Sequence, residues 1–104
     1  MHSIIFITAS DKKEARRIAQ ALIGHRLAAC INIIGGIESI FRWQGKVRKA
    51  KEVLLIIKSK KEKIPEIIKL VKLIHSYEVP EIISFPITAG FKPYLKWIDE
   101  SLTF

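Results

Sequence analysis

The chain has 104 residues, of which 49% are hydrophobic, and a formal net charge of +8 with a pI near 9.8. This length fits one domain that buries a core without a metal or disulfide staple, and no apolar run approaches the ~20 residues of a membrane span. A single cysteine, Cys30, excludes an internal disulfide and fits a reducing cytosol. No basic segment or small-residue cleavage site precedes the apolar run that starts at Ser3, so we expect a cytoplasmic protein rather than a secreted one.

The positive charge is concentrated in one part of the chain. Residues 46–72 hold ten Lys or Arg against three Glu, whereas residues 73–104 hold two Lys against four Asp or Glu. A basic surface is typical of proteins that bind polyanions such as nucleic acids. However, lysine outnumbers arginine thirteen to five, and specific phosphate and base recognition relies on arginine. The composition therefore favours a solvated lysine surface over a nucleic-acid site.

The first predicted elements are a strand and a helix. The isoleucine-rich run 3–9 is bounded by polar residues and predicts a buried strand. Asp11 followed three residues later by Glu14 predicts a capping box. Apolar residues then recur at helical spacing over 15–23, and Gly24 predicts the end of that helix.

The middle of the chain predicts extended structure. Residues 28–34 are apolar and predict a second strand, which we expect Gly35–Gly36 to end. Residues 37–44 alternate between apolar and polar, and Gly45 marks a turn. Residues 46–60 predict a further strand with an aliphatic core.

The last third predicts a helix, a strand and a short terminal helix. Residues 64–74 have helical periodicity, with Pro65 expected in the first turn. Residues 82–89 predict a strand whose Pro86 belongs at an edge or a bulge, and residues 94–102 predict the terminal helix. The order β-α-β-β-α-β plus a helix predicts one α+β domain over 1–104, a ferredoxin-like sandwich with right-handed split β-α-β crossovers.

The segment HSYEVPEI, from His75 to Ile82, carries the densest chemistry of the chain. It places an imidazole, a phenol and two carboxylates around Pro80, between two apolar segments. Because Pro80 disfavours a helical Val79, this segment is predicted to join a helix to a strand. Such junctions often collect side chains for recognition. No C-x-x-C, H-E-x-x-H, Walker or G-x-S-x-G pattern is present, so the sequence nominates no enzyme class.

Four segments in this order resemble the CutA divalent-cation tolerance family. They are RLAACINI (26–33), FRWQG (41–45), HSYEVPEI (75–82) and YLKW (94–97). The resemblance implies a homotrimer of ferredoxin-like subunits, whose long hairpins reach neighbouring sheets. It also implies copper binding, since members of the family bind divalent copper. The architecture is also similar to the PII signalling proteins, which bind small molecules in clefts between subunits.

The chain departs from the family pattern at the implied copper ligands. Ile7 stands where the bacterial copper-binding members carry a cysteine, and Ile74 replaces the first of two adjacent histidines. Only His75 survives of that pair, and Glu78 or Glu81 would supply oxygen ligands. Copper(II) prefers several ligands in tetragonal geometry, so we expect weak binding at this set. The alternative is that His75 is a helix-terminal histidine interacting with exposed carbonyls.

The resemblance also implies a binding cleft between subunits. Its candidate residues are Cys30, Asn32, Trp43, Tyr77, Glu78 and Trp97. Cys30 is by default a small buried hydrophobe, whereas Asn32 is either a buried amide or a solvent-facing residue. Trp43 either packs a trimer interface or lines the cleft, and the two roles are compatible.

Three functions follow from the sequence. The first is a non-enzymatic, divalent-cation tolerance homotrimer that binds copper(II) weakly. The second is a PII-like sensor of a small-molecule ligand. The third, less favoured, is RNA binding by the basic stretch Arg42 to Lys51, with Trp43 as a stacking platform. The alternative for this stretch is a hairpin whose charges are simply solvated.

Overall fold

Residues 1–103 are described in the computed structural model, and within them four β-strands and three α-helices follow one another. They are β1 (His2–Ala9), α1 (Lys12–Gly24), β2 (Cys30–Trp43), β3 (Lys46–Lys60), α2 (Ile64–Ile74), β4 (Ile82–Pro86) and α3 (Lys92–Ser101), with a 3-10 turn at Lys61–Lys63. The strands form one antiparallel sheet in the order β2-β3-β1-β4. The predicted α+β, ferredoxin-like arrangement is confirmed.

One face of the sheet is covered by α1 and α2. Alternate strand positions supply its fully buried side chains, and both helices meet them with residues at helical spacing. These residues are Ile5, Ile7, Leu55 and Ile57 of the sheet, Ile18 and Leu22 of α1, and Ile67 and Val71 of α2. Burying each large side chain contributes about 1.5–3 kcal/mol, so this layer is the main source of stability within the chain.

The opposite face of the sheet, here called the open face, is also apolar. It carries the alternate side chains Ile4, Phe6, Ile34, Leu54, Ile56, Ile83 and Phe85. Ile83 and Phe85 on the outer strand β4 are 55% and 43% exposed. At one end of this face α3 is tied down by Asp99, whose Oδ1 lies 2.9 Å from His2 Nε2 and 3.3 Å from Lys60 Nζ.

A long hairpin formed by β2 and β3 extends past the rest of the sheet. β1 pairs with β3 only over 53–60, whereas β2 stays paired with β3 as far as Trp43 and Lys46. The projecting part of each strand is roughly 20 Å long at the usual rise per residue. Gln44 and Gly45 both have positive φ, which fits the two-residue turn that joins twisted antiparallel strands. The predicted turn at Gly45 is confirmed.

The prediction that Gly35–Gly36 ends a strand is wrong, because β2 continues through both glycines. Between Ile34 and Ile37 the strand advances three residues while its partner advances two, from Leu54 to Glu52. This extra residue is a β-bulge, and Gly36 takes the left-handed φ of 74° that it requires. A pair of glycines is typical of a strand end and of a bulge alike, so the sequence alone predicts two separate strands here.

The prolines behave as predicted, with one change of boundary. Pro65 lies in the first turn of α2, and Pro86 lies on the edge strand β4. However, β4 ends at Pro86, so the predicted strand 82–89 is three residues too long. The second strand begins at Cys30, two residues later than predicted.

No helix within residues 1–103 combines the length and apolar character needed to cross a membrane.

Candidate functional site

The junction between α2 and β4, residues 75–81, is the polar segment singled out by the sequence. α2 ends at Ile74, and His75 has extended backbone angles of φ −79° and ψ 140°. The predicted change from helix to strand is confirmed, but the helix already ends at Ile74, five residues before Val79, so the restriction that Pro80 places on Val79 does not set this end. Polar groups of the junction bond to the N-terminus of α1 and to β3.

The side chain of His75 is buried, and both of its ring nitrogens have protein partners. Its side chain is 0% exposed, its Nε2 lies 2.8 Å from the carbonyl oxygen of Thr8, and its Nδ1 lies 3.0 Å from the backbone nitrogen of Tyr77. A carbonyl only accepts and a backbone N–H only donates, so the ring carries its proton on Nε2. A metal at Nδ1 would displace the N–H of Tyr77, and a metal at Nε2 would displace the proton shared with Thr8.

Glu14 ties the junction to α1. Asp11 caps the helix as predicted, since its Oδ1 accepts from the backbone N–H of Glu14 at 2.8 Å. The carboxylate of Glu14 then accepts from the N–H and the hydroxyl of Ser10 at 3.0 Å each, and from the N–H of Ser76 at 2.7 Å. Burial by itself would raise the pKa of Glu14 above 4.5, but these hydrogen bonds outweigh it and lower the pKa to about 2. Only the Asp11 half of the predicted capping box forms, because the carboxylate of Glu14 bonds to Ser10 rather than to the N–H of Asp11. Glu14 instead holds the junction to α1 through Ser76.

Tyr77 and two carboxylates form the centre of the junction. The hydroxyl of Tyr77 donates to Oε2 of Glu52 at 2.7 Å, and Glu52 is only 8% exposed. Burial, and then the hydrogen bond to Glu52, raises the pKa of Tyr77. Burial, followed by the charge of Glu52, raises the pKa of Glu81. Sequence reasoning missed Glu52; its signal was an acidic residue directly before the aliphatic run of β3.

A groove separates the junction from the projecting hairpin, and we call it the hairpin groove. It consists of two adjoining hollows of about 430 and 400 Å³, which share the lining residues Phe41, Trp43, Glu52, Tyr77 and Val79. Arg48 and Glu78 line only the first hollow, whereas Thr8 and Glu81 line only the second. The groove therefore brings four predicted site residues, Trp43, Tyr77, Glu78 and Glu81, together with a buried carboxylate and an aromatic wall.

The other predicted cleft residues form a separate group at the start of β2. Cys30 lies beside the phenol of Tyr94, and burial followed by this thiol raises the pKa of Tyr94. The ring of Tyr94 packs against Trp97 with centroids 5.4 Å apart. Asn32 is exposed, and its side-chain oxygen accepts a hydrogen bond from the ammonium of Lys58. Within a single chain Asn32 faces solvent, and both alternatives for it stay predictions.

The predicted metal ligands do not form a ready-made site. Across residues 1–103, no three His, Cys, Asp or Glu side chains are placed so that they could hold a metal ion together. Glu78 is exposed, and its backbone carbonyl accepts from Lys72 Nζ at 2.5 Å. The ligand set His75, Glu78 and Glu81 stays a prediction that requires His75 to give up a hydrogen bond.

The basic stretch from Arg42 to Lys51 lies on the projecting hairpin. Nine of its ten residues are exposed. Its aromatic residue, Trp43, lines the hairpin groove and is 37% exposed. Both alternatives for this stretch predict such exposure, so the solvated hairpin and the less favoured RNA-stacking platform stay predictions.

Nearly the whole chain matches known proteins. Residues 3–101 match the family model described as CutA1 divalent ion tolerance protein. The divalent-cation tolerance protein CutA of Thermus thermophilus is 44% identical over 101 residues, which cover 97% of this chain and 98% of that protein. The protein of the same name from Archaeoglobus fulgidus is 46% identical over 102 residues, which cover 98% of this chain and 99% of that one.

Solved structures agree with the sequence comparisons. The Thermus thermophilus structure has a TM-score of 0.95 and covers 97% of this chain and 98% of its own. The Archaeoglobus fulgidus structure, described as a periplasmic protein, has a TM-score of 0.96 and covers 99% of this chain and 100% of its own. The chain therefore belongs to the CutA1 divalent ion tolerance protein family, as the resemblance predicts.

Proposed function

We propose that the protein is a non-enzymatic, cytoplasmic homotrimer that takes part in divalent-cation tolerance. Membership of the CutA1 family supports the role in cation tolerance, and the relatives are described by tolerance rather than by a catalysed reaction. The proposal of a trimer is supported by the apolar open face together with the projecting hairpin. A reducing compartment fits the free cysteine Cys30.

An isolated chain leaves a large apolar surface in water. Ile34, Ile83 and Phe85 of the open face are 43–55% exposed, and Val47 of the hairpin is 64% exposed. Fully burying a side chain of this size contributes about 1.5–3 kcal/mol, so covering the exposed part of several of them supports a stable interface. Contiguous apolar patches of this kind are typical of subunit contacts.

The shape of the chain favours a closed ring of copies. The hairpin projects roughly 20 Å beyond its own sheet, and β4 lies at the outer end of the strand order. A contact between the hairpin of one copy and the open face of the next joins two different surfaces. Head-to-tail contacts of this kind close into rings when the rotation permits, and three copies is the number that the family resemblance implies.

Sedimentation of two matched variants tests the assembly. Ile83→Glu places a charge on the open face, whereas Ile68→Glu places one on α2, where the side chain is 41% exposed. We expect the wild type and Ile68→Glu to sediment as trimers and Ile83→Glu to dissociate, with circular dichroism confirming that all three fold. A wild-type chain that is folded and monomeric at micromolar concentration would contradict the proposal.

We further propose that the protein binds copper(II) weakly as cargo, through His75 with Glu78 or Glu81. Low affinity follows from the two hydrogen bonds that His75 makes to Thr8 and Tyr77, one of which the metal would have to replace. Copper titration of tag-free protein in the presence of a competing chelator measures this binding. Stoichiometric binding that His75→Ala abolishes supports the site, whereas binding indifferent to His75→Ala contradicts it.

A second candidate function is a PII-like sensor of a small molecule. The hairpin groove favours it, because the groove combines apolar walls with the polar groups of Tyr77 and Glu52. A metabolite that binds the folded protein raises its melting temperature in proportion to the logarithm of its concentration above Kd. A thermal-shift screen in which nucleotides, organic acids and amines all leave the melting temperature unchanged would count against the sensor.

A further inference from the structure

The hairpin groove contains a buried carboxylate that has no cation beside it. Glu52 is 8% exposed and lines both hollows of the groove. Its Oε2 accepts the hydroxyl of Tyr77. No hydrogen bond from residues 1–103 reaches its Oε1, and since no fully buried side-chain oxygen among these residues lacks a partner, Oε1 is open to the solvent of the groove. Over the same residues it forms no ion pair within 4.0 Å with any Lys, Arg or His nitrogen. A carboxylate oxygen that faces the groove and has no ion pair is available to a cation that enters the groove.

A second carboxylate and an aromatic wall surround this position. Glu81 lines the same hollow, and the charge of Glu52 contributes to the raised pKa of Glu81, after burial. Phe41 and Trp43 lie in the wall of both hollows. An aromatic face attracts a cation most strongly when both are desolvated, and tryptophan does so best. The groove thus offers two anionic groups and an aromatic surface to the same ligand.

The Glu52 end of the groove is acidic although the chain as a whole is basic. Within residues 1–103, the cations that contact the junction, Lys72 and Arg17, bond to the backbone carbonyls of Glu78 and Ile74 and form no ion pair with Glu52. After burial and Glu52, the charges of Glu14 and Asp11 also raise the pKa of Tyr77. Arg48 lines only the first hollow and makes no ion pair with Glu52 among residues 1–103. A ligand with positive charge is therefore favoured at the Glu52 end of the groove over an anion.

The donor set fits an organic cation better than a metal ion. No three His, Cys, Asp or Glu side chains of residues 1–103 converge at this point, and divalent metals need several donor atoms. A primary ammonium is satisfied by three hydrogen-bond acceptors or fewer with water, and the body that carries it can bury against apolar walls.

We propose that the hairpin groove binds a small primary ammonium carried on an apolar or aromatic body. The ammonium lies between Glu52 and Glu81, and the body packs against Trp43. Tyr77 is a positioning residue, since its hydroxyl holds one oxygen of Glu52. The inference rests on the proposed sensor function and names the ligand class for that site.

Isothermal titration of the whole chain at pH 7 tests this with a charged probe and its neutral counterpart. The probes are 2-phenylethylammonium chloride and 2-phenylethanol, which share a ring and differ in the charged group. We expect one ammonium per subunit and binding of the alcohol weaker by about tenfold or more. Equal binding of the two probes, or no detectable binding of the ammonium at about 10 mM, overturns the inference.

Three glutamine variants locate the site. Glu52→Gln keeps an acceptor for Tyr77 but removes the charge, and we expect it to weaken ammonium binding about tenfold or more. Glu81→Gln tests the second carboxylate and should weaken binding in the same direction. Glu66→Gln is the control, because Glu66 is exposed on α2 outside the groove. Unchanged affinity in Glu52→Gln overturns the proposed site.

Sedimentation and circular dichroism of the same samples separate this inference from the proposed functions. A trimer that binds another metabolite but not the ammonium retains the sensor and overturns the ligand class. A monomer that binds the ammonium overturns the trimer and supports the ligand class. If the wild type binds no ammonium and Glu52→Gln dissociates the trimer, a neighbouring subunit supplies the cation, and the inference is overturned.

Discussion

Replacing Glu14 by glutamine measures how firmly the junction is held to α1. The carboxylate accepts three hydrogen bonds, two from Ser10 and one from Ser76. Glutamine has only one acceptor oxygen. The NH2 half of its amide would therefore face donors that now bond to the second carboxylate oxygen and leave them unpaired. A pKa lowered from 4.5 to about 2 corresponds to roughly 3 kcal/mol at ~1.4 kcal/mol per unit. We therefore expect Glu14→Gln to lower the free energy of unfolding by about that amount at pH 7.

The pH dependence of this effect has a defined sign. The pKa of Glu14 is lower in the folded chain than in the unfolded chain, so its stabilisation is fully present above about pH 5. It is lost as the pH falls from 4.5 towards 2, because the unfolded chain takes up the proton first. The glutamine variant has no such titration, so the difference in stability between the two proteins should shrink over this range.

Chemical denaturation at pH 7, 5 and 3, followed by circular dichroism, gives both quantities. The chain concentration must be the same for each protein, since assembly makes apparent stability depend on concentration. Glu66→Gln is the matched control, because Glu66 lies in the first turn of α2 as Glu14 lies in that of α1, but is exposed. We expect the control to change stability by about 0.5 kcal/mol or less. A loss below about 1 kcal/mol in Glu14→Gln, or a difference that stays constant between pH 5 and pH 3, would refute the reasoning.

Substitutions at three further positions test local structure by urea denaturation. Asp11→Ala removes the helix cap that binds the N–H of Glu14 and should cost about 1 kcal/mol, whereas Asp11→Asn should cost much less. Gly36→Ala should destabilise by about 1 kcal/mol, because the bulge holds this residue at φ 74°. Gly24→Ala should stabilise by about 0.5 kcal/mol, since it lies at the end of α1 with no atom near its added Cβ. Effects of the same sign at the two glycines would contradict the assigned backbone conformations.

The fold was predictable because its signals are local. Apolar residues at spacing two and at spacing 3.6 mark the strands and helices, and Asp11 and Pro65 mark helix starts. The bulge in β2 was not predictable in this way. The pair Gly35–Gly36 is equally typical of a strand end and of a bulge, and only the pairing of β2 with β3 distinguishes the two.

The site was less predictable because its partners are distant in sequence. Tyr77 binds Glu52, which is 25 residues away, and Ser76 binds Glu14, which is 62 residues away. Nearness in sequence instead grouped His75 with Glu78 and Glu81. Periodicity places a residue on a face of its element, but it does not state which side chain of another element lies opposite.

The polar groups of the junction divide into two sets with different consequences. His75 is bound to the carbonyl of Thr8 and to the N–H of Tyr77, and Glu14 is bound to Ser10 and Ser76, so these groups have their hydrogen bonds satisfied within the chain. Substituting them is expected to change stability first.

Glu52 and Glu81 form the other set, since Oε1 of Glu52 has no partner among residues 1–103 and both carboxylates face the hairpin groove. Neutralising them removes repulsion between two nearby anions, so the folded chain should lose little stability or gain some. The loss should instead fall on cation binding. A residue that stabilises the fold and a residue that binds a ligand are thus separable here by the sign of the stability change.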